Sequence, residues 1–322
     1  EIAPRDFLFR SREFEQMEIE YFIFPNEECS YKIPNVEVLI YSAEMQSNNQ
    51  NAEEMNIKEA LEKGIIKRDW HAYWLSQCLL WFKNLGCNLK NFRLRQHKKD
   101  ELAHYSSDCW DLEYKFPFGW KELTGIADRA DYDLSRHEKF SCKDLKLFIE
   151  NKGKILPHVI AEPSFGVERA FLVFMFESYE YDPNRKNIVL HLHPKLSPIK
   201  IAVFPIVKKS SFVRLAKKNY QDLKEEFNCF YDENGSLGRR YSRQDEISTP
   251  YCITVDGDSL KNKDITIRDR DSTEQIRVKI SDLKEVLRKL INGEIKFKGV
   301  GKIVETRKKI TLPLQINKNR KI

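Results

Sequence analysis

The sequence predicts two domains of different class: an α+β domain built on an antiparallel sheet over residues 1–196, then an α/β domain with a mixed sheet over residues 197–322. Three observations carry that prediction. From Arg10 to Phe22 the chain reads RSREFEQMEIEYF, with apolar residues at every second place in its later half. Alternate side chains of a strand share a face, so Phe14, Gln16, Glu18 and Glu20 fall together and Met17, Ile19 and Tyr21 form the expected core face. Past Pro194 the pattern becomes one of short strands alternating with helices, opened by the near-continuous apolar run KIAVFPIV, which suits a strand covered on both sides. Charge divides at the same place. Residues 197–322 hold 28 Lys+Arg against 17 Asp+Glu, an excess of 11, whereas residues 1–196 carry a net −5 of the chain's +6.

In chain order, residues 1–24 are predicted as two antiparallel strands joined near Pro4 to Phe7, and Pro25 ends the second by withholding a ladder donor. Residues 28–67 read as an insertion, with a polar loop SNNQNAEE and a short helix over Ile57 to Lys63. Arg68 to Asn84 places Trp70, Tyr73, Trp74, Cys78, Leu79 and Phe82 at helical spacing, an aromatic stripe that is expected to be core. Strands follow through Phe92 and Arg95, through Trp110 to Tyr114, and over Glu122 to Ala127 (ELTGIA). Phe140 to Asn151 is expected as a surface helix, His158 to Glu162 as a strand, and Val167 to Ser178 as a buried helix. The second domain is predicted as strand 200–207, helix 212–227, strand 229–231, helix 239–247, strands 251–255, 264–269 and 274–279, and helix 281–291. The basic tail from Lys302 has room for one more strand.

Composition excludes several classes. A hydrophobic fraction of 41% with 12 Gly and 12 Pro is globular, and no run approaches the roughly 18 apolar residues of a membrane helix. The first residues lack a secretion signal, so the cytoplasm is the expected location and no membrane partner is expected. Seven scattered cysteines without a C-x-x-C pair point to free thiols rather than disulfides or a tetrahedral zinc site. His191 and His193 would share a strand face, as a structural pair more readily than as metal ligands. The basic second half suits a polyanion, or else a lysine-rich surface kept for solubility.

The phrases EIAPRDFLFRSREF, GWKELTGIADRADYDLSRH and AEPSFGVERAFL occur in this order, and together they resemble class II aminoacyl-tRNA synthetases. The likeness is greatest to glycyl-tRNA synthetases of the archaeal and eukaryotic kind, and RQH and AHY within Asn91 to Trp120 add to it. The first phrase is similar to the family's motif 2 and the last to its motif 3, while HPKLSPIKIAVFPIVKK, GRRYSRQDEISTPYCITVD and TIRDRDSTEQIRV resemble the anticodon-binding domain of several class II enzymes. Motif 1 and the arginine that opens motif 2 two places before Glu1 do not occur, as in a fragment or in a shortened relative, so activity of this chain alone is not implied.

The resemblance implies a glycine–tRNA ligase, with tRNA(Gly), glycine, ATP and Mg²⁺ as partners and cofactors and a homodimer in the complete protein. Activation sends the amino-acid carboxylate onto the α-phosphate of ATP, and cations aimed at the phosphate oxygens stabilise that transition state. Arg10 and Arg169 are the implied catalytic arginines, with Arg12 near them. Along the nucleotide the implied contacts are Arg10 and Ser11, with Phe14 under adenine, Glu1 near its amino group, and Arg169 at the γ-phosphate. Glu122 with Leu123 forms a second nucleotide contact, Glu122 also being the implied Mg²⁺ ligand. Glycine offers only its ammonium and carboxylate, so the implied contacts are Glu18, Glu162, Pro163 and Ser164, with Arg129 facing the carboxylate. Alanine would be rejected by exclusion, since attraction alone discriminates one methylene by only about 1–3 kcal/mol. For tRNA the candidates are Arg239, Arg240, Arg243, Arg268 and Arg270, each of which could instead pair with Asp245, Glu246, Asp269 or Asp271. Two further readings stay open: a non-catalytic synthetase-like accessory protein, and a basic RNA-binding module alone.

Overall fold

The computed structural model describes residues 15–304 and divides the chain into two compact units, residues 1–180 and 181–322. In the first unit the elements are β1 Gln16–Glu18, β2 Tyr21–Ile23, β3 Glu37–Tyr41, α1 Ala43–Ser47, β4 Glu53–Asn56, α2 Ile57–Glu62, α3 Asp69–Asn84, β5 Phe92–Gln96, β6 Asp108–Phe116, β7 Gly119–Asp128, α4 Tyr132–Ser141, β8 Leu147–Ile149, β9 Gly153–Ile155, β10 His158–Gly166 and α5 Val167–Ser178. The sheet runs β1-β10-β7-β6-β5-β3-β4, with β2 also on β10. Every pair is antiparallel except β3 with β5.

The two faces of this sheet differ because β6 and β7 alternate. Trp110, Leu112 and Ile126 are fully buried on one face, joined there by Phe165 of β10. Helix α3 covers them with Trp70, Leu75, Cys78, Leu79 and Phe82, so the expected stripe is core at Trp70, Cys78, Leu79 and Phe82 but only half-buried at Tyr73 and Trp74. Each fully buried side chain of this size contributes roughly 1.5–3 kcal/mol relative to exposure. His71 of the same helix is also buried, with its Nε2 3.0 Å from the Ile126 carbonyl, and burial lowers its pKa.

Several expectations need correction. Met17 and Ile19 do not form a core face: they are 39% and 42% exposed and line an open groove with Trp74, Leu80 and Trp81 of α3. The strand is broken after Glu18, and only Tyr21 of the expected face packs on Trp70 and Trp74. Residues 28–67 are no appendage; β3 is an inner strand and β4 the sheet's edge, with α1 between them capped by Ser42. The helix expected over residues 140–151 is not there, since only Phe140 and Ser141 are helical, as the end of α4. Helix α4 stops at Cys142, whose φ of 57° is left-handed, and a hairpin of β8 and β9 follows with positive φ at Asn151 and Gly153. The strands expected over residues 1–14 and the tail after residue 304 lie outside the described residues.

Strand β11 Tyr179–Asp182 crosses the division, and the second unit carries β12 Asn187–Leu190, β13 Ile201–Pro205, α6 Ser210–Lys224, β14 Cys229–Tyr231, α7 Leu237–Glu246, β15 Tyr251–Val255, α8 Gly257–Asn262, β16 Asp264–Asp269, β17 Gln275–Lys279, α9 Leu283–Asn292 and β18 Lys302–Ile303. Its mixed sheet runs β14-β13-β15-β16-β17-β18, parallel across β14, β13 and β15 and antiparallel beyond. The apolar run of β13 is buried at all five positions, as a strand covered on both faces must be. Helix α9 turns Leu283, Leu287, Leu290 and Ile291 into the core. Helix α8, which the sequence reading missed, is fixed by a capping box between Asp256 and Ser259. The boundary expected at residue 196 falls inside this unit. Arg185 holds residues 181–196 to it through Asp245 and the carbonyls of Arg270 and Asp271, and His191 Nδ1 lies 2.6 Å from Asp271.

Candidate active site

The face of the first sheet opposite α3 is polar, and strand register assembles it in rows. Cross-strand partners share a face, and Glu18, Ser164, Gly125, Asp111 and Arg95 are partners in succession across β1, β10, β7, β6 and β5. One step along, Glu162, Ala127 and Cys109 form a second row, which His97 extends by donating its backbone N–H to the Cys109 carbonyl at 2.9 Å. Glycine at 125 leaves the middle of the first row without a side chain. A Cβ there would stand 3.8 Å from Asp111 Oδ1. Glu122 belongs to this face although it stands three positions, an odd number, before Gly125. A bulge where the register slips between Leu112 and Glu113 sets Glu122 opposite Glu113 and turns Leu123 inward, where it is buried. Leu123 can therefore offer a ligand only its backbone.

At one end of the rows, carboxylates gather around one guanidinium. Arg129 Nη1 donates to both Glu162 oxygens at 3.0 and 2.7 Å, and its Nε and Nη2 donate to Asp133 at 2.5 and 2.7 Å. The guanidinium also lies 4.0 Å from the Tyr105 ring centroid. Arg129, expected to face a substrate carboxylate, is instead turned onto protein carboxylates, and Asp133 and Tyr105 went unnoticed in the sequence. Burial raises the Glu162 carboxyl's pKa, Arg129 opposes that, and the neighbouring Glu18, which accepts a hydrogen bond from protonated Glu162, raises it again; the net direction is up. Two carboxyl groups in contact, one of them clamped, form a site that attracts a cation such as an ammonium.

At the other end, α5 begins at the last residue of β10. Arg169, in the first turn of the helix, donates from Nη1 to the Glu122 carbonyl at 3.3 Å and lies 3.6 Å from Glu122 Oε1. Its stem crosses Gly166 so closely that a Cβ there would meet Arg169 Cδ at 3.1 Å and Cγ at 3.2 Å. Glu122 is half exposed, but the protein around it displaces part of its water, and that partial desolvation and then Asp111 push its carboxyl's pKa up against the pull of Arg169. Arg169 and Glu122 are thus brought together, as are Glu18, Glu162 and Ser164. Pro163 lies between the last two and faces the core side, opposite Ile126. Glu1, Arg10, Ser11, Arg12 and Phe14 lie outside the described residues.

In the second unit three of the five candidate tRNA contacts are engaged inside the protein, two of them with the acidic partners given as the alternative. Arg268 is buried in a bidentate pair with Asp245, at 2.8 and 3.0 Å. Arg270 is 1% exposed, with bonds to the Ser248 and Leu192 carbonyls and to Asp271. Arg240 is buried too, donating to the Pro205 carbonyl at 2.7 Å and lying over Phe204. All three are core groups, because a basic residue between strands can satisfy its donors on carbonyls as well as on a ligand. Only Arg239 and Arg243 of the five reach the surface, and Arg243 is bonded to Asp232 and to the Asn234 carbonyl.

Comparison with known proteins gives these features a class. The crystal structure of a prolyl-tRNA synthetase from Cryptosporidium parvum, complexed with L-proline and AMP, matches with a TM-score of 0.50 at 16% identity over 76% of this chain and 51% of that one. Residues 200–290 match the family model described as Anticodon binding domain. The fold is that of a class II aminoacyl-tRNA synthetase, an antiparallel sheet with flanking helices followed by a unit that matches the anticodon-binding family. In sequence the chain is similar to glycine–tRNA ligases. That of Acetivibrio thermocellus is 42% identical over 287 residues, which is 88% of this chain and 53% of the relative; that of Borrelia hermsii is 40% identical over 308 residues, 93% and 59%. The chain spans about half the length of the curated relatives it matches.

Proposed function

We propose that this chain carries the adenylate-forming site and the anticodon-binding domain of a glycine–tRNA ligase. The observation that supports this most is Glu18 against Glu162 beside the side-chain-free Gly125, in a chain 42% identical to such a ligase over 88% of its length. Glu18 and Glu162 hold the glycine ammonium, Ser164 lies beside it, and Arg129 is a positioning residue that keeps Glu162 in place. The glycine carboxylate attacks the α-phosphate of ATP, pyrophosphate leaves, and glycyl-adenylate forms. The terminal ribose hydroxyl of tRNA(Gly) then attacks the glycyl carbonyl and AMP leaves. Arg169, at a helix start, meets the phosphates, a task shared by resemblance with Arg10 and Arg12, while Ser11, Phe14 and Glu1 line the nucleotide. Glu122, half exposed beside Glu113, offers the oxygen donors that Mg²⁺ takes. When bound, Mg²⁺ would neutralise charge on the phosphate oxygens.

Arg239 and Arg243 are the proposed phosphate contacts for tRNA. A cytoplasmic homodimer completes the proposal; among the described residues no helix is long and apolar enough to cross a membrane. The likeness to archaeal and eukaryotic members rests on the quoted phrases, since the relatives compared are bacterial. The test is ATP–pyrophosphate exchange with each of the twenty amino acids, on this chain and on a form extended to the length of its relatives. Exchange with glycine alone is expected. Tight tRNA binding without exchange in either form would leave an accessory, non-catalytic protein instead.

A further inference from the structure

The rows that form the polar face also bring together a thiol, an imidazole and a carboxylate outside the groups used above. Cys109 and Asp111, two apart on β6, share a face, and His97, just past the end of β5, stands beside them through its backbone bond to Cys109. One ligand atom from each of the three lies within 4.8 Å of the other two, and His97 Nε2 is 2.8 Å from Asp111 Oδ2. Around a tetrahedral zinc ion, with Zn–N and Zn–O near 2.1 Å and Zn–S near 2.3 Å, such atoms stand about 3.3–3.6 Å apart. Side-chain adjustments of about 1 Å or less convert one arrangement into the other.

We infer that His97, Cys109 and Asp111 form a site for a borderline-soft divalent cation, Zn²⁺ above all, with a fourth position open toward the polar face. Thiolate and imidazole select zinc over Mg²⁺, which takes oxygen ligands, so the site is distinct in kind from that proposed at Glu122. Access comes through the imidazole: the His97 side chain is 24% exposed, against 8% for Asp111. Ligation gives up the His97–Asp111 hydrogen bond, which one metal bond to each group replaces. Asp111 also accepts from Arg95 Nη1 at 3.3 Å, but Arg95 keeps Glu101 at 2.6 Å when a metal draws Asp111 away. The alternating sequence R-Q-H on one strand and C-W-D on the next places Arg95, His97, Cys109 and Asp111 on the polar face, while Trp110 points into the core.

The experiment uses the whole chain, stripped with a chelator and titrated with Zn²⁺ in excess Mg²⁺ against a chromophoric competitor, with Co²⁺ as a spectroscopic probe. One tight equivalent is expected, with a thiolate-to-cobalt charge-transfer band. Affinity should fall on the order of 100-fold in Cys109→Ser and in His97→Gln. Zinc should also shield Cys109 from alkylation in the unaltered protein, read peptide by peptide, which decides the matter even where a variant fails to fold. Absence of a tight equivalent, equal affinity in folded Cys109→Ser, or protection of Cys29 or Cys142 instead of Cys109 would overturn the assignment.

Discussion

Replacing Arg268 by methionine separates a core guanidinium from a tRNA contact. Arg268 and Asp245 are 7% and 3% exposed, joined by two charge-assisted bonds, and the guanidinium stacks 4.7 Å from the Tyr241 ring centroid. Removing one partner of a buried pair typically costs about 3–5 kcal/mol, because the other charge stays behind uncompensated. Arg185 still reaches Asp245 at 3.3 Å, which places the cost near the low end, about 3 kcal/mol. With a urea slope of about 2 kcal/mol/M, the unfolding midpoint of the second unit falls by about 1.5 M. The five tryptophans, Trp70, Trp74, Trp81, Trp110 and Trp120, all lie in the first unit. Their fluorescence therefore follows that unit alone, whereas far-ultraviolet circular dichroism follows both. The dichroism transition should shift to lower urea while the tryptophan transition stays. If Arg268→Met instead unfolds at the original urea concentration and loses tRNA affinity, with the salt slope reduced by about one, the burial reasoning is wrong.

Three further outcomes are expected. Gly125→Ala should fold normally, since its Cβ makes only an ordinary 3.8 Å contact with Asp111, yet glycine-dependent exchange should drop roughly 10–200-fold because the gap in the row is filled. Gly166→Ala keeps an allowed backbone, φ −76°, but displaces Arg169 by a few tenths of an ångström; exchange should slow about tenfold with the melting temperature almost unchanged. For Glu162 the raised pKa fixes the sign of two pH effects. Its contribution to stability is complete below the ordinary glutamate value of 4.5 and is lost as pH rises through the raised value, since the fold favours the acid form. Binding of an ammonium needs the carboxylate, so KM for glycine should climb as pH falls, starting above 4.5, and Glu162→Gln should abolish that pH step.

The sequence revealed much of this fold because periodicity reports burial. The apolar positions of α3 and the five buried residues of β13 follow directly from it. Glu18, Glu162, Ser164, Glu122 and Arg169 could be named from three short phrases. Their mutual placement could not, since it depends on strand register and on the bulge that re-aims Glu122. For the arginines the phrases supply candidates but not partners. A guanidinium's partners are decided by what lies across the fold, so GIADR gives no sign of Asp133 holding Arg129, whereas the alternative pairing of Arg268 with Asp245 and of Arg270 with Asp271 is the one the structure shows. Met17 and Ile19 alternate as a core face would, yet alternation says nothing of whether another element covers that face. Helix α4 was placed too late because the left-handed turn at Cys142 has no glycine to announce it.

The attachment of residues 181–196 decides where this chain can be cut. A fragment beginning at the compositional break near residue 196 would discard Arg185 and His191, leaving Asp245, Asp271 and the Arg270 carbonyl short of partners at the centre of the arginine network. One beginning at residue 181 keeps them. Anyone preparing the second unit for calorimetry or crystallisation would then measure the native surface rather than a frayed one, and would read any gain in affinity from the shorter piece as an artefact of exposed cationic core.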